Sequence, residues 1–591
     1  MDLDARTGGP SPFEPRLPAR GGEDGGGRIL PFVVGVLADL SGSTDDSRPP
    51  LSERKFISVD RDNFDAYLGS LAPGLKLAVE NTLQGDGSLL EVQLRFRSME
   101  DFEPARVIAQ VRPLRELLES RRRIEARPKG GTPRPAGMAT PLLDSILDES
   151  PSPPGAPSAG EGSPTSTVHH VLSRQLAAIL RTREFQDLEA AWRGLHHLVF
   201  AAETGPGLRI KVMDISKKGL GKDLQGAEEF DQSRIFEKVF EDVYGVADAE
   251  PFGVLLGSYR FSNHPEDLDL LAGLARVAAA SFCPFIADAD PAFFGLEDFV
   301  GLPGSDNLVR ILDGPPYARW RSFRDSEESR FVALVLPRVL ARLPYGKRTR
   351  PAEGLEFEEV VPGRETWKDL HPQLLWMNSA WALAARMAAS AALTGWSSKI
   401  GGAEGGLVEG LPIITFRDDS GAKEALTTET PIPVRKAEEL AQVGFIPLVH
   451  RKGTDSAIFS GLAMVHRAKR SADAEATATE ALWSRLPCVL AFSRIVQHLL
   501  VLSLDSPEGF RDPAGWREGL ERWMAEQVAP IDGPPGERDR YPLREGQVEV
   551  KEAPGRPGLY RVTVSVKPAA SLAGGELSRP LKITLTIPFS P

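Results

Sequence analysis

The sequence predicts a mixed α/β and α+β architecture, with mixed sheets, flanking helices and strands toward both ends of the chain. Three observations carry this expectation. Residues 252–256, 266–281 and 284–287 read as strand, helix and strand, the order of a right-handed βαβ unit. Further strand patterns cluster at 29–96 and again after residue 547. Between the early strands and the mixed region lies a Pro/Gly/Ser-rich stretch, residues 128–167. Such composition cannot bury enough apolar surface to offset its ordering entropy, so it reads as a flexible tether between two folded pieces.

Element by element, residues 1–27 are Gly/Pro-rich and read as a disordered extension. Residues 29–40, ILPFVVGVLADL, read as a buried strand that turns at Ser41-Gly42, and 60–68 as a short helix. Residues 75–79 and 90–96 are strands, the second with the alternation LEVQLRF. Residues 102–122 carry an apolar helical face, and Pro113 inside it predicts a kink or a break. The tether holds one apolar island at 140–149. Thr140-Pro141 is a helix start there, and Leu142, Leu143, Ile146 and Leu147 form one stripe. A helix of two turns is marginal alone, so the island reads as a docking motif or as a piece packed on its own domain.

Beyond the tether, helices are expected at 171–180 and 184–201, the second with Glu189 and Arg193 as an i,i+4 pair. A strand at 330–336 follows the βαβ unit. Helices recur at 374–393, 477–502 and 513–527, and the tail returns to strands at 547–551, 559–566 and 581–587.

A net charge of −12 disfavours nucleic acid and anionic membrane as partners. The two cysteines, Cys283 and Cys488, sit in apolar runs and read as buried hydrophobes. The start lacks a basic and apolar leader, and the most membrane-like segment, 374–393, contains Asn378, Ser379 and Arg386. A cytoplasmic chain is expected. No metalloprotease pair, paired Cys-x-x-Cys, GxSxG or complete phosphate loop occurs. Gly219-Leu220-Gly221-Lys222 is followed by Asp223 where Ser or Thr would bind magnesium, and Asp60, Asp62 and Asp65 lack the rest of a calcium loop. His196 and His197 point to neighbouring faces of one helix. The glycine cluster at 401–406 fits close packing of chain on chain better than a phosphate cradle. No catalytic, cofactor or metal residues are assigned.

Several blocks carry a resemblance. FQDLEAAWRGLHHLV at 185–199, PFGVLLGSYRF at 251–261, WRSFRDSEESRFVALVLPRVLARLPYG at 320–346, GWSSKIGGAEGGLVEGLP at 395–412, VGFIPLVHRKGTDSAIF at 443–459 and PLREGQVEVKEAPGRPGLYRV at 542–562 resemble the large subunit of the type VI secretion contractile sheath (TssC, also VipB). GRILPFVVGVLADLSG at 27–42, FISVDRDNFDAYL at 56–68 and LRFRSMEDFEPARVIAQVRPLRELLESR at 94–121 are similar to the small subunit (TssB, also VipA). The small-subunit match stops near Ile124. The family's AHxPF is here ASFCPF, and its GDY is Gly257-Ser258-Tyr259.

The resemblance implies a contractile tail-sheath-like fusion, natural or engineered. Residues 28–127 would be the small subunit, 128–167 the tether and 168–591 the large subunit, with a C-terminal strand region at 541–591. It implies a structural protein of the bacterial cytoplasm without cofactors, polymerising on a baseplate around an inner tube (Hcp) and recycled by a ClpV-type AAA+ unfoldase. On that reading the island residues Leu142, Leu143, Ile146 and Leu147 are the unfoldase-docking face. Glu518, Glu521 and Glu526 face the inner tube. Strand exchange between copies falls to Phe32, Val34, Tyr560, Val562, Ile583 and Leu585. The sheath of a related phage-like device and a soluble enzyme using the 401–411 loop stay open.

Overall fold

The computed structural model describes residues 16–17, 28–42, 48–125, 164–505, 513–530 and 541–588, apart from residues 85, 247, 361–365, 418–420 and 555–558. The island at 140–149 lies outside the described residues.

Arg28–Ile29 pairs with Arg16–Leu17, and after Leu30 and Pro31 the chain enters strand β1, Phe32–Ala38. The run expected at 29–40 is thus divided at Pro31, which has no N–H to give a ladder. Every residue of β1 is buried, the pattern of an interior strand of a parallel sheet covered on both faces. Ile57–Ser58 (β2) follows. Asp60 Oδ1 accepts from the backbone N–H groups of Asp62 and Asn63, and helix α1, Phe64–Leu71, begins there. Gly74–Glu80 (β3) and Leu89–Arg95 (β4) form a hairpin that buries Leu75, Leu77, Val79, Val92 and Leu94. Helices Pro104–Gln110 (α2) and Arg112–Glu125 (α3) realise the break expected near Pro113, with Val111 extended between them.

The larger part starts with Pro164–Leu180 (α4) and Arg183–Ala201 (α5), followed by Leu208–Asp214 (β5) and Lys217–Gly226 (α6). Phe252–Phe261 (β6), Pro265–Ala280 (α7) and Phe285–Ala289 (β7) are the expected βαβ unit, and its two strands pair in parallel. Val332–Leu336 (β8) and the alanine-rich helix Ala380–Thr394 (α8) come next. Leu407–Val408 (β9), Phe445–His450 (β10) and Ala457–Phe459 (β11) close this part.

These strands build one nine-stranded sheet in the order β9-β11-β10-β8-β7-β6-β1-β5-β2. The run from β10 to β5 is parallel throughout, and antiparallel strands finish both edges. Asp288 at the end of β7 fixes α8. Its carboxylate accepts from Ser379 N, Ser379 Oγ and Ala380 N at 2.7, 3.1 and 2.8 Å. Burial pushes its pKa up to about 7, although those donors pull the other way.

The single helix expected at 477–502 is two: Ala474–Trp483 (α9) and Leu486–Asp505 (α10). Pro487 explains the break, because proline is tolerated in a first turn and not in an interior. By length and composition Leu486–Ser503 could cross a membrane, yet 94% of it is buried in the fold as a core helix. This corrects the choice of 374–393 as the most membrane-like segment. Pro513–Glu526 (α11) leads to the antiparallel sheet Leu543–Glu552 (β12), Leu559–Pro568 (β13) and Leu581–Pro588 (β14).

Candidate assembly interfaces

The central interface is the seam between residues 28–125 and the remainder. Strand β1 lies between β5 and β6, with Val34 opposite Ile210 on one side and Val254 on the other. The fit is close. A Cβ on Gly253 would stand 2.2 Å from the Phe32 ring, and one on Gly35 would stand 2.7 Å from Phe252 and Leu255. Phe32 is 3% exposed and Val34 is fully buried. Both edges of β1 are paired within the chain, so the strand that carries these two residues crosses between two segments of one molecule.

Aromatic groups extend the seam. Phe96 stacks on Phe102 at 4.1 Å, and Phe185 of α5 meets both edge-on. Trp192 packs against Phe64 and Tyr67, and its indole N–H donates to Leu40 O at 2.9 Å. Gln175 of α4 bonds both Glu80 O and Thr82 N of the hairpin. Asp214 Oδ1 accepts from Leu40 N and Ser41 N.

Charges reinforce the joint. Glu103 of the small segment pairs with Arg350 and stands 4.0 Å from Arg193. Arg193 bonds Glu189, and Glu189 and Glu359 both bind Arg342 at 2.7 Å, all three almost fully buried. Burial raises the Glu189 pKa, and the two guanidinium groups more than reverse that. The i,i+4 pair visible in the sequence is therefore one edge of a buried network. A second network joins Arg338, Glu429 and His371, where Arg338 and His371 hold Glu429 well below the usual carboxylate range despite its burial. A third joins Arg330, Glu480 and His466.

At the C-terminal end, Trp516, Leu520 and Trp523 turn the apolar face of α11 inward, while Glu518, Glu521 and Glu526 lie exposed. In the arm sheet Val562 is buried and Tyr560, Ile583 and Leu585 are half-buried. Strand β13 is paired on both sides. Among the described residues no strand pairs with the outer edge of β14.

The motifs weighed for chemistry have structural roles. Gly219 to Lys222 lie within α6, and Asp223 accepts from Arg234 N and Ile235 N at the start of the next helix. Phe459 N donates to Gly406 O, and a Cβ on Gly405 would stand 2.7 Å from Lys399 O, so the glycine cluster serves close backbone packing. His196 stacks on Phe200 at 4.1 Å, and burial lowers the pKa of both His196 and His197. Cys283 and Cys488 are fully buried. A crevice of about 630 Å³ opens at the carboxyl ends of β1, β6 and β7, the usual ligand position in open parallel sheets. Several of its charges pair with one another: Lys217 with Asp267 at 2.6 Å and Arg260 with Asp187 at 3.4 Å. Among the described residues no group of His, Cys, Asp and Glu is placed to hold a metal ion.

A strand of one segment built into the sheet of another, buried ionic joints and an arm ending in an open strand edge define a structural assembly protein. Comparison with known proteins agrees. Residues 22–128 match the type VI secretion system VipA family, and residues 165–466 match VipB (EvpB/VC_A0108, tail sheath N-terminal domain). Residues 475–585 match the tail sheath gpW/gp25-like domain of EvpB/VC_A0108. The type VI secretion system sheath protein TssC1 of Pseudomonas aeruginosa is 39% identical over 413 residues, which cover 68% of this chain and 81% of TssC1. Its sheath protein TssB1 is 45% identical over 92 residues, 16% of this chain and about half (53%) of TssB1. The chain belongs to the type VI secretion sheath family, joins small- and large-subunit sequences in one polypeptide, and has a structural role.

Proposed function

We propose that copies of this chain polymerise in the bacterial cytoplasm into a sheath joined through the outer edge of β14, with Glu518, Glu521 and Glu526 facing the inner tube protein. The open edge is the observation that carries this reading. Eight residues of edge with no partner among the described residues, LKITLTIP with Lys582 as the lone charge, are a pairing template that proteins otherwise blunt. A strand added by a neighbouring copy would continue the ladder β12-β13-β14 and survive changes of ring spacing, because the flanking links bend while ladder bonds hold. Residues 28–127 act as the small subunit, 128–167 as tether and 168–591 as the large subunit, with 541–591 as the linking arm. The chain works without catalysis, and the baseplate is its assembly platform.

Two variants test the edge. In an antiparallel strand successive N–H groups point to opposite sides, so proline at 583 or at 584 removes the outward donor. One of the two is expected to abolish tubes in negative-stain images while leaving the monomer's thermal midpoint nearly unchanged. Tubes formed by both variants would overturn the edge assignment. Reversal of the three glutamates to lysine is expected to abolish co-sedimentation with the inner tube and to spare self-assembly. Leu142, Leu143, Ile146 and Leu147 remain the proposed unfoldase face. Unchanged unfoldase binding by Leu143→Asp with Ile146→Asp would remove them.

A further inference from the structure

Three adjacent parallel strands, β1, β6 and β7, start at the same side of the sheet, and one helix meets all three entry points. Helix α10 is apolar, LPCVLAFSRIVQHLLVLSLD, yet carries Arg494 and Gln497 on its buried face, 5% and 1% exposed. Buried polar groups of this kind are costly unless bonded. Arg494 donates to Pro31 O at 3.0 Å and, through its other terminal nitrogen, to Leu30 O. Less than a turn further on, Gln497 Nε2 donates to Phe252 O and Phe282 O at 2.8 and 2.9 Å. Leu30 and Pro31 precede β1, Phe252 opens β6, and Phe282 precedes β7. The small segment, the large body and the C-terminal unit therefore meet at two side chains.

The same helix continues outward. His498 stacks on Trp523 of α11 at 5.6 Å and 19°, and Trp516 of α11 meets Tyr560 of β13 edge-on at 5.9 Å. Arg485, just before α10, bonds Gly574 O between β13 and β14.

We propose that Arg494 and Gln497 form a clamp by which the C-terminal unit holds the small segment's strand in the sheet, making α10 the load path from the arm to β1. The load-path clause rests on the arm linking neighbouring copies. The clamp itself concerns a single chain and is tested without assembly. Charge-assisted bonds to a buried carbonyl are the strong class, so Arg494 is the main holder and Gln497 aligns the two neighbouring strands.

The test is amide hydrogen exchange on the full, unassembled chain. Arg494→Met keeps length and apolar packing while removing the donors. Its expected effect is a loss of protection of about tenfold or more at residues 32–34, with residues 332–336 unchanged. Arg494→Lys keeps the charge and gives a smaller loss at the same amides, which keeps the test available if the methionine variant does not fold. Gln497→Leu shifts the loss to residues 252–254. Unchanged protection at 32–34, or an equal loss in every strand of the sheet, would overturn the clamp. A clamp that holds in this assay, together with tubes that survive both β14 prolines, would reject the load path and the arm reading while keeping the clamp.

Discussion

Replacing Arg342 by methionine would leave Glu189 and Glu359 buried without their shared cation. Removing one partner of a buried ionic group costs about 3–5 kcal/mol, far more than the intact group contributes. The expected result is a large fall in the denaturant midpoint, whereas loss of an exposed pair such as Lys452–Glu424 is within about 1 kcal/mol. Glu480 provides a pH signature. Burial pushes its pKa up, but the bonds from His466 and Arg330 bring it below its ordinary 4.5, to about 2. A carboxylate lowered in the folded state stabilises above its unfolded pKa, and that stability is lost as the pH falls through the folded value. The thermal midpoint is therefore expected to decline between about pH 4.5 and 2, and Glu480→Gln to decline less in that window. Part of this was legible in the sequence. Glu189 and Arg193 announce themselves by spacing, whereas Arg342, 153 residues away, joins them only through the fold.

Strand β1 meets the large body with no room to spare. On Gly253 even a methyl group overlaps the Phe32 ring, which is walled in by the core. Gly253→Ala is expected to cost about 1–3 kcal/mol, the usual range for overpacking, and Phe32→Leu in the same chain to recover part of it. Denaturant midpoints of Gly253→Ala, Phe32→Leu alone, the double variant and the wild type measure the coupling. Element types followed from pattern: the βαβ unit, the hairpin, the arm strands and the break near Pro113 are all where periodicity and proline put them. Several boundaries did not: the helix expected at 374–393 starts only at Ala380, after the short strand Trp376–Met377, and proline explains two others. Pro31 divides the first strand, and Pro487 divides the long helix into α9 and α10. The sheet partners of β1 carried no local signal, since a fully buried strand reads only as an apolar run. The same holds for Arg494 and Gln497, which in sequence are two polar residues in an apolar helix.

Residues 28–127 bring an apolar strand buried on both faces together with a hairpin and helices that rest on Phe185, Trp192 and Gln175 of the other segment. Expressed alone, this piece is expected to be insoluble or unfolded, and co-expression with residues 164–591 to return it to solution. Soluble, protected 28–127 on its own would contradict the dependence. Joining both pieces in one polypeptide makes their meeting intramolecular, with an effective concentration of about a millimolar where the connection can span the sites. Strand β1 has one more consequence, which concerns time. It is made early, yet its neighbours β5 and β6 begin at Leu208 and Phe252. At about 5–20 residues per second, on the order of 9–34 s of synthesis separate Ala38 from Leu208, the start of its first partner. Throughout that interval the nascent chain carries a seven-residue apolar strand with no partner yet synthesised. Putting both subunits on one message sets that wait by ribosome speed, where two separate chains would set it by encounter.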